Sequence, residues 1–117
     1  MTKIVYNACF GGFGLSEAAM RRYAEIKGYE FRVEPDSEFQ SFKNYFFNGE
    51  RVYESDMDEK RTDPVLAQVV EELGKAASGS YSELCVYELP AGTKYRIEEY
   101  DGLEHIETED DIKWSVA

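Results

Sequence analysis

The residues best spaced for chemistry in this chain lie at its start, where Cys9-Phe10-Gly11-Gly12-Phe13-Gly14-Leu15-Ser16 follows the strand-like run Lys3 to Cys9. Three glycines free the loop from ordinary φ limits, and Ser16 is placed to cap a helix with Glu17 in its first turn. A glycine loop running into a helix N-terminus presents unpaired N–H groups and the positive end of a dipole, a setting for a phosphate or carboxylate. The spacing is neither that of a Walker loop, which ends Gly-Lys-Ser/Thr, nor G-x-G-x-x-G. The structural alternative is a sharp turn with Phe10 and Phe13 plugging the core. For the ligand reading, Tyr6, Asn7, Phe10, Gly11, Gly12, Phe13, Gly14 and Ser16 form the candidate site. Arg21 and Arg22 lie a turn further on, and Arg61 comes from a second cationic segment, Lys60-Arg61. The alternative for Arg61 is a surface pair with Asp58 or Glu59, the commoner fate of such a residue.

Catalytic groupings are sparse. The chain has one histidine, His105, flanked by Glu104 and Glu107, and two cysteines, Cys9 and Cys85. A zinc site needs three or four suitable ligands, mostly His or Cys, and Glu107, Glu109, Asp110 and Asp111 follow no calcium-loop spacing. A Cys9–His105 nucleophile pair can be drawn, but strand cysteines are more often buried thiols. We therefore assign no catalytic residue, no metal site and no cofactor, and expect His105 at the surface and both thiols buried and reduced.

The elements that must position the loop are legible. Ala19, Met20, Tyr23, Ala24 and Ile26 share one side of a helix from Ser16 to Lys27, closed by Gly28. Tyr29 to Val33 alternates as a strand, and Asn48-Gly49 between aromatic runs predicts a type I′ hairpin, read as an elaboration on the core. Ser55 to Lys60 reads as an exposed connection. A second helix has Asp63 as cap, Pro64 at its first position and the stripe Leu66, Val69, Val70, Leu73 and Ala77, ending near Ser78-Gly79. Strands follow at Leu84 to Leu89, Tyr95 to Tyr100 and Leu103 to Thr108 about an Asp101-Gly102 turn, with a last run Ile112 to Val116 read as closing an antiparallel meander. The expected fold is one α+β domain over 1–117: an antiparallel or mixed sheet with two helices on one face, plus the aromatic hairpin. Its predicted core includes Leu66, Val69, Val70, Leu73, Ile97 and Trp114.

Length and charge bound the partners. With 117 residues, 43% hydrophobic, the chain can bury one ordinary core. It shows neither a membrane-length apolar stretch nor a signal-peptide core, so the expected location is the cytosol of the cell that makes it. The net charge of −11 argues against direct nucleic-acid or membrane binding. That charge is uneven, −2 over residues 1–61 and −9 over 62–117, which directs any anionic ligand to the first half.

Tyr6-Asn7-Ala8-Cys9-Phe10-Gly11-Gly12-Phe13-Gly14-Leu15-Ser16, with Arg61-Thr62-Asp63-Pro64, Val69 to Gly74 and Tyr95 to Gly102, resembles a family of small tailed-bacteriophage and prophage proteins. The resemblance implies a phage origin and assigns no activity. Small phage proteins without enzymatic motifs often act against host defence, which gives two expectations. One is a sponge, a homodimer that sequesters a nucleotide signal such as a cyclic ADP-ribose or cyclic oligonucleotide without cleaving it. The other is an acidic inhibitor that mimics DNA through Glu98, Glu99, Asp101, Glu104, Glu107, Asp110 and Asp111 and blocks a defence enzyme.

Overall fold

A computed structural model describes residues 1–35, 43–53, 57, 60–111 and 115–117. It is an α+β fold of two helices and seven strands among the described residues. In order they are β1 (Thr2–Asn7), α1 (Glu17–Lys27), β2 (Phe31–Pro35), β3 (Lys43–Phe47), β4 (Glu50–Val52), α2 (Pro64–Leu73), β5 (Leu84–Leu89), β6 (Tyr95–Tyr100) and β7 (Leu103–Thr108). A 3₁₀ turn, Gly74–Ala77, prolongs α2.

The strands form three antiparallel sheets, not the single sheet expected. β5 pairs with β1 in the register Thr2↔Leu89 to Asn7↔Leu84, although some eighty residues separate them, and among the described residues β6 pairs only with β7. The C-terminal third is therefore not a meander: β5 returns to the chain's first strand. Pro90 lacks an N–H and opens a turn closed by Thr93 N–H to Pro90 O, which lets β6 leave the β5 plane. Residues 112–114, including Trp114, lie outside the described part, and Ser115 and Val116 are not in a strand.

Both helix boundaries follow their sequence signals. Ser16 caps α1 by accepting Ala19 N–H, and Gly28 closes it at φ 76°. Asp63 caps α2 by accepting Val65 N–H, with Pro64 next. Asn48 and Gly49 take positive φ, 51° and 84°, as a type I′ turn demands. The hairpin is no mere elaboration, however. Tyr45 and Phe47 on β3 are buried with the helices, and Phe47 stacks on Tyr23 at 5.9 Å. Alternation sends these two rings inward together, so the hairpin closes the core. Met57, within the segment read as an exposed connection, is also buried.

The core gathers Val5, Leu15, Met20, Tyr23, Leu66, Val69 and Val70 between the helices and β1. Leu73, predicted in the core, is only half-buried against it, and Ile97 is half-buried on β6.

Candidate functional site

The loop from Cys9 to Ser16 leaves β1 and is built into the chain from two sides. A Cβ on Gly11 would lie 1.6 Å from Tyr81 O, so only glycine allows the 80–82 backbone to pass there. On the other side a Cβ on Gly102 would come 2.4 Å from Gly12 N, which brings the β6–β7 turn against the loop. Gly12 sits at φ 93° with open space beside it. Gly14 O accepts from Gly79 N–H at 3.1 Å and from Ser82 Oγ at 2.6 Å, and Ser16 N–H donates to Ala77 O at 2.9 Å.

Asn7 is the latch beneath the loop. It is fully buried; its Nδ2 donates to Cys9 O at 2.9 Å and to Gly102 O at 2.7 Å, and its Oδ1 accepts Glu83 N–H at 2.8 Å and the Cys9 thiol at 3.5 Å. Both amide protons and the carbonyl oxygen are thus committed to protein groups. The Asn7 main-chain N–H donates to Glu104 Oε1 at 2.8 Å, tying β1 to β7.

Glu104 is held in turn by Arg61, which donates to its two oxygens at 2.6 and 2.7 Å and to Val5 O at 3.1 Å. The guanidinium also lies 3.9 Å from the centre of the Phe13 ring. Side-chain exposures of 14% for Arg61 and 8% for Glu104 make this a largely desolvated, bidentate pair. Burial alone would raise the Glu104 carboxyl, but Arg61 and the Asn7 N–H outweigh it and hold the group below the usual glutamate value. The pairing with Asp58 or Glu59 expected for Arg61 falls outside the described residues.

The structure brings some of the predicted site residues together and separates others. Phe10, Gly11, Gly12, Phe13, Gly14 and Ser16 share the loop, with Asn7 directly below. Residues 11–17, Tyr45 and 78–82 line a hollow of about 680 Å³ beside it. Among the described residues no arginine or lysine lines that hollow, and Glu17 does. Arg21 pairs with Glu17 at 3.6 Å and lies over Phe31, while Arg22 is bonded to Glu72 at 2.9 Å and to Glu25 at 3.2 Å. Tyr6 sits on the β1–β5 sheet, edge-on to Tyr87 at 6.5 Å. At the helix start, Ala19 N–H is capped by Ser16 Oγ and Met20 N–H bonds Ser16 O, which leaves the Glu17 and Ala18 N–H groups as the open donors of the first turn among the described residues.

Other side chains expected to be chemical candidates have ordinary surroundings. His105 is 63% exposed, as expected, and bonds Glu107 at 3.1 Å. Both cysteines are free thiols but only half-buried, and Cys9 lies just past the end of β1. Its thiol bonds Asn7 Oδ1 and Tyr81 O, so it is engaged away from His105. Among the described residues no three His, Cys, Asp or Glu side chains converge as a metal site. Of the proposed DNA-mimic face, Glu104 is buried, which corrects its placement at the surface, and Glu98 and Glu107 share Arg96 as an ion-pair partner, at 2.8 Å each. No helix among the described residues is long and apolar enough to cross a membrane.

Two aromatics not singled out from the sequence complete the site's outer surface. Phe10, Tyr81 and Tyr100 are 64%, 79% and 73% exposed, and they stand on the three segments that the loop glycines lock together. Phe10 and Tyr100 meet edge to face at 6.5 Å. The signal available in the sequence was positional: Tyr81 follows Ser78-Gly79-Ser80 and Tyr100 precedes Asp101-Gly102, both turn sites where a large ring is not needed for the turn. No family model matches the chain, and neither a curated protein nor a solved structure is similar enough to count as a match.

Proposed function

We propose that the chain is a phage-encoded, non-enzymatic binding protein of the bacterial cytosol that inhibits a host protein by covering a basic patch on it. The observation that carries this reading is the exposed trio Phe10, Tyr81 and Tyr100 on a preorganised loop surface. Large rings on an ordered backbone supply contact area at low entropic cost, and tyrosines are enriched among the residues that dominate binding energy. Glu83 and Asp101, beside Tyr81 and Tyr100, make no ion pair among the described residues and give the patch a negative rim. A partner with arginines would meet both ring faces and carboxylates.

Nucleotide sequestration is the second reading, favoured by the hollow beside the glycine loop and by the open Glu17 and Ala18 N–H groups. It asks the ligand to bind without Arg21, Arg22 or Arg61, whose guanidinium groups are engaged elsewhere.

Photo-crosslinking distinguishes the two. A benzophenone amino acid replaces Tyr81 or Tyr100 in host cells, with Tyr53 as the control position. Crosslinking to one host protein from 81 and 100, lost with Phe10→Ala, is the expected result. Equal labelling from position 53, or no protein adduct, refutes the inhibitor reading. Calorimetric binding of a cyclic nucleotide below about 100 µM, some −5 to −6 kcal/mol, would establish the sponge instead.

A further inference from the structure

Among the described residues no strand pairs with the second edge of β5, and its pattern of donors and acceptors can be read from the sheet. Ala8 N–H donates to Glu83 O, so the pairs that exchange hydrogen bonds along β1 and β5 are Ala8/Glu83, Tyr6/Cys85, Ile4/Tyr87 and Thr2/Leu89. The intervening residues turn their N–H and C=O groups to the outer edges. On β1 the middle of that edge is occupied: Val5 N–H bonds Arg61 O, Val5 O accepts from Arg61, and Asn7 N–H bonds Glu104. On β5 the outward groups belong to Leu84, Val86 and Glu88. Leu84 N–H is taken by Ser78 Oγ at 2.9 Å, and the next outward position is Pro90, which has no N–H. Val86 and Glu88 therefore carry an open donor and acceptor each among the described residues, bounded at both ends.

We propose that this edge pairs with the same edge of a second copy of the chain, forming a twofold dimer with a continuous four-stranded antiparallel sheet. The sequence chooses the register. Setting Val86 opposite Glu88 of the partner uses the outward donor and acceptor of both residues in four main-chain hydrogen bonds, with Leu84 and Pro90 opposed at the two ends. A shift one way places Leu84, whose N–H is occupied, opposite Glu88; a shift the other way opposes Glu88 to Glu88 and Val86 to Pro90. Only the first register pairs all four outward groups of Val86 and Glu88: the Leu84 shift leaves the Glu88 C=O without a donor, and the other shift opposes like charges.

The side chains agree. Tyr87, exposed and edge-on to Tyr6, falls on the twofold axis opposite its own copy, so the two sheets join their aromatic pairs into one row of four rings. Glu88 has Lys3 at 3.8 Å to offset its charge beside the apolar Val86 of the other copy. The strand, Leu-Cys-Val-Tyr-Glu-Leu, carries neither lysine nor proline to discourage edge pairing. This contact uses the β5 edge at Val86 and Glu88, none of the aromatic trio, and does not depend on the proposed inhibitor activity.

Sedimentation equilibrium of the full chain over a wide concentration range tests it. The wild type is expected to dimerise, and Glu88→Pro to weaken the dimer roughly ten- to a hundredfold, because it removes two hydrogen bonds per dimer while leaving the β1 side of the strand intact. Unchanged melting of Glu88→Pro confirms that the fold is kept. Should that variant unfold, Tyr87→Cys in a Cys9→Ser, Cys85→Ser background decides. Its Cα atoms would face each other across a non-hydrogen-bonded pair at about 4.5 Å, within disulfide reach. Oxidation to a covalent dimer from position 87, but not from Glu88→Cys, is the expected outcome. A monomer at all concentrations overturns the proposal, as does a dimer indifferent to Glu88→Pro. Binding of a foreign strand to this edge by a chain that stays monomeric does so too.

Discussion

Replacing Glu104 by alanine tests the junction that holds the glycine loop. The change removes the bidentate partner of a guanidinium only 14% exposed, together with the acceptor of the buried Asn7 N–H. Breaking a buried pair from one side typically costs about 3–5 kcal/mol, since the remaining charge stays desolvated. For a domain of this size that is roughly 10–20 °C in Tm. Glu104→Gln should cost less, because its amide oxygen can still accept one bond. The pH dependence follows from the direction of the shift. The Glu104 carboxyl is depressed in the folded chain, so its contribution is present above the unfolded value of about 4.3 and is lost as pH falls through the folded value. The gap in Tm between wild type and Glu104→Gln should therefore be constant near neutrality and close below about pH 4. Thermal unfolding followed by circular dichroism, with a double-mutant cycle against Arg61→Ala, measures both. If Glu104→Ala costs under about 1 kcal/mol, or if the two single changes add fully, the junction does not carry the coupling assigned to it.

Further outcomes separate neighbouring residues. Gly11→Ala should disrupt the loop, because its Cβ would sit 1.6 Å from Tyr81 O, whereas Gly12→Ala meets open space and costs only its positive φ, about 1 kcal/mol; equal urea midpoints for the two would contradict this. Leu66→Ala, at a fully buried position, should cost about 2–5 kcal/mol, and Leu73→Ala, half-buried, about 1–2 kcal/mol. The reverse order in chemical denaturation would show that the packing is misassigned. Tyr81→Ala and Tyr100→Ala should leave Tm within about 2 °C, since rings this exposed contribute little to folding. A larger loss would make them structural and remove the basis for a binding surface.

What the sequence revealed, and what it hid, divides along local and nonlocal interactions. Ser16, Gly28, Asp63-Pro64 and Asn48-Gly49 mark their boundaries because caps and tight turns are decided by a few adjacent residues. The pairing of β5 with β1 is not local, and no property of Leu84 to Leu89 names its partner; consecutive strands made a meander the natural expectation, and Pro90 broke it. The burial of Tyr45 and Phe47 was readable as alternation, but the face it served required knowing where Tyr23 would be. Glu104 left a trace. It shares a strand face with Ile106, which pairs with Ile97, and a carboxylate in an inward register implies a cation within reach. The sequence could not say that this cation was Arg61, from 43 residues earlier.

The arginines show why a glycine loop before a helix is weak grounds for an anion site in this chain. With 24 acidic and 13 basic residues, every cation folds among an excess of carboxylates. Lys3, Arg21, Arg22, Lys27, Arg32, Lys43, Arg61, Lys94 and Arg96 all form ion pairs in the structure. A phosphate entering the hollow would have to take a guanidinium from a carboxylate already bound to it, and the stranded carboxylate would offset much of the gain. Exposed rings face no such competition. Phe10, Tyr81 and Tyr100 remain available because no residue in the described fold covers them fully, and a cationic partner gains from the same acidic excess that a nucleotide would have to overcome. The charge balance that disfavours the small anion thus favours the basic protein surface, and ionic strength separates the two. Raising salt should slow association with a basic partner by screening its approach, whereas a nucleotide buried in the hollow should respond far less.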